Sequence, residues 1–255
     1  MRSLVTGATA GLGAAFARQL AADGSDLVLV ARDEARLQQT AADLRSVHGV
    51  EVEVLRADLA DESDLARVAA RLSSAEEPID LLVNNAGFGL HSRLVDPDLR
   101  VHRNAMDVMC WAVLVLGGTA AAAMRRRGAG RIVNLSSLAS WTTQGHYSAI
   151  KAWVRSYSEG LANELRGTGV TVTAACPGWV RTEFHERAGI RVSALPDWAW
   201  DEPEPVVRQV LADARRGKVV SIPGKAGWKL VQAALKLAPS GAVRAVSRAI
   251  SSSRD

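Results

Sequence analysis

A chain of 255 residues, 48% apolar and 23% charged, is long and apolar enough to bury a large core as one α/β domain or two small ones, which excludes a disordered segment. Its net charge of +4 is no nucleic-acid footprint: six Lys and Arg from Lys225 onward against Asp255 alone put +5 on the tail, leave the body near neutral, and form no basic stripe interleaved with aromatics. No apolar run reaches the length of a bilayer span, the first residues enter a strand with no signal segment, and Cys110 and Cys176 show no disulfide, metal or CxxC spacing, so a reducing, cytoplasmic setting is expected.

Leu4-Val5-Thr6 reads as a strand, followed by Gly7, Gly11 and Gly13 and a helical pattern over Ala14 to Ala22. Strand, glycines, helix is the context in which a backbone approaches a pyrophosphate closely at a helix N-terminus. An ordinary strand-to-helix turn is the plain alternative. The apolar run Asp26 to Ala31 is a strand buried on both faces. An acid at its end favours NAD; here Ala31 is small and Arg32 follows. A guanidinium suits a 2′-phosphate, so NADP is expected, against a solvated loop charge as the plain alternative. Asp33 reads as the cap of a helix to Val47.

Val52 to Arg56 is a third strand, after which Asp58 either accepts from an adenine amino group or caps the helix near Glu62 to Leu72. Ile79 to Val83 is the fourth, ending in Asn84-Asn85-Ala86-Gly87-Phe88-Gly89. Asparagines and glycines at a strand's carboxyl end line the crevice where such sheets bind ligands. A long helix then spans about Val101 to Arg127, and its Arg125 to Arg127 cluster offsets the helix dipole.

Arg131 to Leu135, a fifth strand, delivers Ser136 and Ser137, and a short polar loop leads to a helix from Tyr147 to Arg166. Lys151 lies four residues after Tyr147, so the two side chains stack on one helix face. A nearby ammonium lowers a phenol's pKa from about 10 toward neutrality, which makes it a usable acid or base. A serine hydroxyl at the strand end then holds a substrate oxygen beside it.

Val170 to Ala175 is a sixth strand, turning at Cys176-Pro177-Gly178. Residues 183–204 hold Pro196, Pro203, Trp198 and Trp200 without a period and read as a substrate loop. A helix from Pro205 to Arg215 and a strand from Val219 to Ile222 complete the alternation. The pattern implies a doubly wound, Rossmann-type α/β fold with a seven-stranded parallel sheet in one domain, residues 1–224. The tail, 225–255, reads as two basic amphipathic helices packed on it, in which Trp228, Val231, Leu235 and Ala238 share a face. A membrane-surface or dimer-docking role is the sharper, less favoured reading.

With these residues placed, the chain resembles the short-chain dehydrogenase/reductase family over essentially its whole length. Thr6-Gly7-x-x-x-Gly11-x-Gly13, Asn84-Asn85-Ala86-Gly87, Ser137, Tyr147-x-x-x-Lys151 and Pro177-Gly178 with Thr182 carry the resemblance. Arg181 to His185 and Ile222-Pro223-Gly224 look like the subgroup of ketoacyl and hydroxysteroid reductases.

The resemblance implies that Tyr147 exchanges a proton with the substrate oxygen, Ser137 orients that oxygen, and Lys151 tunes Tyr147 and binds the nicotinamide ribose. It implies NADP held by Gly7, Thr9, Ala10, Gly11, Leu12, Gly13, Arg32, Asp58, Leu59, Asn84, Ala86, Gly87, Tyr147, Lys151, Pro177, Gly178, Val180 and Thr182, with no metal. Asn84 and Gly87 are expected near the adenosine ribose, and Val180 and Thr182 near the carboxamide. A homodimer or homotetramer built on helices 101–127 and 147–166 is implied as well.

Three departures stand out. Met109 occupies the position where the family commonly has an asparagine in its proton relay, and a thioether cannot replace an amide. Ser137 and Tyr147 are closer in sequence than is common, so Ser136 or Ser140 could share the serine's role. Ala10 stands where a basic residue often is, which leaves Arg32 alone on the 2′-phosphate. The expected function is an NADP-dependent carbonyl reductase or alcohol dehydrogenase for a hydrophobic substrate, walled by Trp141, Trp179, Trp198 and Trp200. A cofactor-binding sensor or scaffold with little catalysis is the alternative that Met109 raises.

Overall fold

A computed structural model describes residues 1–90, 92–183 and 197–252. The expected alternation is present: β1 (Arg2–Thr6), α1 (Gly11–Ala22), β2 (Asp26–Ala31), α2 (Glu34–His48), β3 (Val52–Arg56), α3 (Glu62–Ser73) and β4 (Leu81–Asn84). A continuous helical run follows, α4 (Arg100–Met106), a π-turn at Asp107–Trp111 and α5 (Ala112–Arg127). Then come β5 (Gly130–Leu135), α6 (Gly145–Glu164), β6 (Val170–Ala175), β7 (Trp179–Val180), β8 (Trp200–Asp201), α7 (Pro203–Arg215), β9 (Val220–Ser221), α8 (Ala226–Leu237) and α9 (Ser240–Ser252).

Seven parallel strands pair in the order β3-β2-β1-β4-β5-β6-β9. Strand order reverses between β1 and β4, which opens a crevice at their carboxyl ends. Successive residues of β1 point to opposite faces, so Val5 joins Phe16, Leu20 and Val210 under α1 and α7, while Leu4 joins Leu65, Leu116 and Met124 under α3 and α5. Both faces are covered, which is why the strands are continuous apolar runs.

Three details depart from the sequence reading. β4 starts two residues later than expected, at Leu81, and ends one residue later, at Asn84, so Asn84 sits inside the ladder opposite Asn134. The expected loop 183–204 ends earlier: β8 pairs with β7, Trp179 opposite Trp200, and α7 starts at Pro203. Residues 184–196 of that loop lie outside the described residues. By length and hydropathy the helical run Arg100–Arg127 is sufficient to cross a bilayer. Here Leu116, Ala120 and Met124 bury its inner face against the sheet. Of the cluster at its end, Arg127 is structural: Gly128 closes the helix and the Arg127 guanidinium donates to the Ile79 carbonyl at 2.7 Å.

Candidate active site

A cleft of about 1070 Å³ runs along the carboxyl ends of the strands. Ligand pockets are commonly about 300–1,000 Å³, so this one has room for a large cofactor with a substrate beside it. At one end it is lined by Arg32, Asp33, Arg36 and Asp58, and at the other by Leu90, Val108, Leu138, Trp179 and Trp228.

The floor is the glycine turn. The Thr6 hydroxyl accepts from the N–H groups of Asn85 and Ala86, both at 3.0 Å, and the Asn85 amide donates to the Thr6 carbonyl at 2.9 Å. These bonds lock the end of β4 to the end of β1. α1 then starts at Gly11 with no side-chain cap and no acid in its first turn. Its N–H groups and positive dipole end therefore face the cleft beside Thr9, Ala10 and Leu12. α2 and α3 differ, capped by Asp33 on the Arg36 N–H at 3.0 Å and by Asp61 on the Asp64 N–H at 2.9 Å. Of these three helices, α1 alone is left open to an external anion. Gly13 serves this turn by close packing rather than by lining the cleft: a Cβ there would lie 2.0 Å from the Gly7 carbonyl oxygen.

Arg32 and Asp58 reach the same end of the cleft, with Leu59, Ala86 and Gly87 along the wall. Asp58 accepts from the Ala60 N–H at 3.1 Å, so it shapes its own turn and does not cap α3. Asn84 is a correction. Its side-chain amide is buried in the sheet and donates to the Asn134 side-chain Oδ1 at 2.9 Å, and the Asn134 Nδ2 donates to the Ser158 hydroxyl at 2.9 Å. Because β4 includes Asn84, it is Asn85 that emerges at the cleft. Arg36, one turn into α2, also lines this end and had not been singled out. Its place three residues past the Asp33 cap was the available signal.

At the reacting end, α6 begins two residues before Tyr147 and brings Tyr147 and Lys151 to the cleft on successive turns. The Lys151 nitrogen lies 5.6 Å from the centre of the Tyr147 ring and donates to the Leu135 carbonyl at 2.8 Å. It is buried, and burial pulls its pKa down to about 8. Of the three candidate serines, Ser136 donates its hydroxyl to the Lys151 carbonyl at 2.7 Å, and Ser140 is buried off the cleft. Ser137 lines the cleft and accepts from the Ala139 N–H at 3.1 Å, which leaves its proton for an outside acceptor. Pro177, Gly178, Val180 and Thr182 form the roof, and a Cβ on Gly11 would lie 3.3 Å from Thr182 Cβ.

Of the four tryptophans expected to wall the site, Trp179 lines it. Trp200 is buried edge-on against Trp179, and Trp141 lies under the Arg155 guanidinium, 4.6 Å from its ring centre. The side chain of Trp198 lies outside the described residues. Trp228 of α8 is the missed wall residue: a Cβ on Gly178 would fall 2.5 Å from its ring. Val231 and Leu235 line the cleft with it. Trp228, Val231 and Leu235 share a helix face, but spacing alone does not say what that face meets.

The chain matches the model of the short chain dehydrogenase family over residues 2–191. It is 37% identical over 212 residues to a Streptomyces violaceoruber protein named as a ketoacyl reductase of the granaticin polyketide synthase, covering 79% of this chain and 75% of that one. A short-chain dehydrogenase from Sphingobium yanoikuyae in complex with NADPH superposes with a TM-score of 0.83 at 36% identity, covering 92% and 93% of the two chains. The bulky-bulky ketone specific alcohol dehydrogenase from Comamonas testosteroni does so at 0.79 and 31%, covering 92% of each.

The chain belongs to the short-chain dehydrogenase family.

For a short-chain dehydrogenase, position 109 is the unusual feature. Met109 is buried in the π-turn, and its sulfur would lie 3.0 Å from a Cβ on Gly87, a point that is 3.8 Å from the Lys151 nitrogen. A thioether fills that space without offering a proton donor. Asn104, five residues before Met109 on the same helical run, is exposed. Both thiols are free and buried. Burial pushes Cys110 up to about 11 and Cys176 up to about 12. Among the described residues there is no cluster that could hold a metal ion.

Proposed function

We propose that this short-chain dehydrogenase is an NADP(H)-dependent reductase that interconverts a carbonyl and a secondary alcohol on a hydrophobic substrate. The observation that carries the reading is the convergence of Tyr147 and Lys151 on a cleft whose far end holds an uncapped helix N-terminus and Arg32. When bound, a nicotinamide dinucleotide supplies or takes up the hydride. The open N–H groups of α1 suit its pyrophosphate, and the Arg32 guanidinium suits a 2′-phosphate.

The chain's own groups handle the oxygen. Ser137 donates its free hydroxyl proton to the substrate oxygen and fixes its position. Tyr147 donates a proton to that oxygen as the carbonyl is reduced, and accepts one as the alcohol is oxidised. The Lys151 ammonium stabilises negative charge developing beside it. Leu90, Val108, Leu138, Trp179 and Trp228 favour an apolar body on the substrate. We place the protein in the cytoplasm as a homo-oligomer, with exposed Trp111, Leu114 and Trp153 on its long helices as the contact face.

Met109 favours the second reading, a cofactor-binding sensor. Incubation with NADPH and a panel of bulky ketones and aldehydes separates the two. Turnover lost in Tyr147→Phe, with NADPH binding retained, supports the reductase. Tight NADPH binding without turnover on any carbonyl would assign the sensor instead.

A further inference from the structure

α8 carries two apolar faces. One, with Trp228, Val231 and Leu235, walls the cleft. The other points to water. Leu230 is 73% and Leu237 84% exposed, and no residue of the helix is fully buried. Residues 230 and 237 lie two turns apart, so they form one ridge, with Ala233 between them and Ala226 one turn before. Val246 of α9 is also exposed. A helix that only packed on the body would need the first face alone.

The charge around the ridge has one sign. Lys225, Lys229, Lys236, Arg244 and Arg248 are all exposed, and from 225 to 252 there is no acid. Among the described residues, Lys229, Lys236, Arg244 and Arg248 make no ion pair. On the body, by contrast, Arg2, Arg18, Arg71 and Arg215 each meet a carboxylate. Water-facing helices commonly alternate charge sign at such spacing. An apolar ridge flanked only by cations is the pattern of a helix lying on an anionic lipid surface.

Both helices are fixed at the mouth of the site. The Trp228 ring packs on Gly178, and the Ser247 hydroxyl of α9 accepts from the Thr143 N–H at 2.9 Å, four residues before Tyr147. The sequence favoured two helices packed on the body with solvated lysines. The structure in addition leaves one apolar face of α8 without cover.

We propose that α8 and α9 seat this protein on an anionic phospholipid surface through Leu230 and Leu237, with the cations of the same two helices meeting the lipid headgroups and the apolar end of the cleft beside the lipid. Docking is independent of the reductase reading. Delivery of a lipid-dissolved substrate to Tyr147 is the consequence that rests on it.

Flotation of the full chain with phosphatidylcholine vesicles, with and without phosphatidylglycerol, tests docking by binding alone. The protein is expected to float with the anionic vesicles at low salt, not with the neutral ones, and to be released by high salt. Leu230→Asn with Leu237→Asn should lower the bound fraction about tenfold or more, and Lys229→Glu with Lys236→Glu by a similar factor. Unchanged thermal midpoint and NADPH binding in both variants show that the fold persists. Absence of flotation with anionic vesicles at low salt, or equal flotation of native protein and the leucine variant, overturns the proposal. So does light scattering in which the leucine variant splits a dimer, because the ridge then belongs to a second copy. A protein that floats but reduces no ketone keeps the docking and loses only the reductase reading.

Discussion

Replacing Lys151 with methionine removes a buried charge while keeping most of the side chain's volume. Burial has moved the amine from its ordinary 10.5 to about 8. At neutral pH, holding the ammonium inside the fold therefore costs about 3 kcal/mol relative to the unfolded chain. The hydrogen bond to the Leu135 carbonyl returns about 1–2 kcal/mol of that, and the variant forfeits it. The net expectation is a variant more stable by about 1–2 kcal/mol, or roughly 3–6 °C in thermal midpoint, and without turnover. The pH dependence has a definite sign. Between about 8 and 10.5 the unfolded chain still holds a proton that the folded protein has released, so native stability rises with pH across that window. The variant's advantage should shrink there. Calorimetry of both proteins at neutral pH, and again well above the amine's folded value, measures this. A methionine variant that is less stable at neutral pH, or whose advantage does not change with pH, refutes the reasoning.

Arg32→Ala should weaken NADPH binding about ten- to a hundredfold and leave NADH unchanged, read by nucleotide fluorescence. An unaltered preference would transfer the 2′-phosphate to Arg36, which lines the same end of the cleft. The His102 and His146 rings share a hydrogen bond at 2.8 Å between their Nδ1 atoms, so one ring must be neutral to accept. Burial first, then His102, pulls His146 below its ordinary 6.5. Its contribution is full above 6.5 and is lost as pH falls through the lower folded value. The thermal midpoint should therefore drop below pH 6.5 less steeply in His146→Gln than in the native protein; equal acid limbs count against the pair.

What the chain shows on its face is local. Alternation of apolar runs with helical periods is enough for a parallel sheet covered on both sides, because strand and helix periods are properties of neighbouring residues. The open glycine turn and the Tyr147–Lys151 spacing are legible for the same reason, since one turn of helix suffices to place both side chains. The Asp33 cap is legible too. The asparagines are not. Whether Asn84 or Asn85 faces the cleft depends on where β4 ends, and the ladder to Asn134 decides that. Ser137 is separated from Ser136 only by the partner that each hydroxyl finds.

The amino-acid sequence alone determined the doubly wound sheet, the family and the Tyr147–Lys151 pair, because each rests on motifs and spacings read along neighbouring residues. Tertiary packing alone decided that Trp228 rather than Trp141 walls the cleft, that Met109 sits beside Lys151, and that α8 keeps a bare apolar ridge. Those three facts join residues far apart along the chain, and no periodicity states which surface a helix will meet.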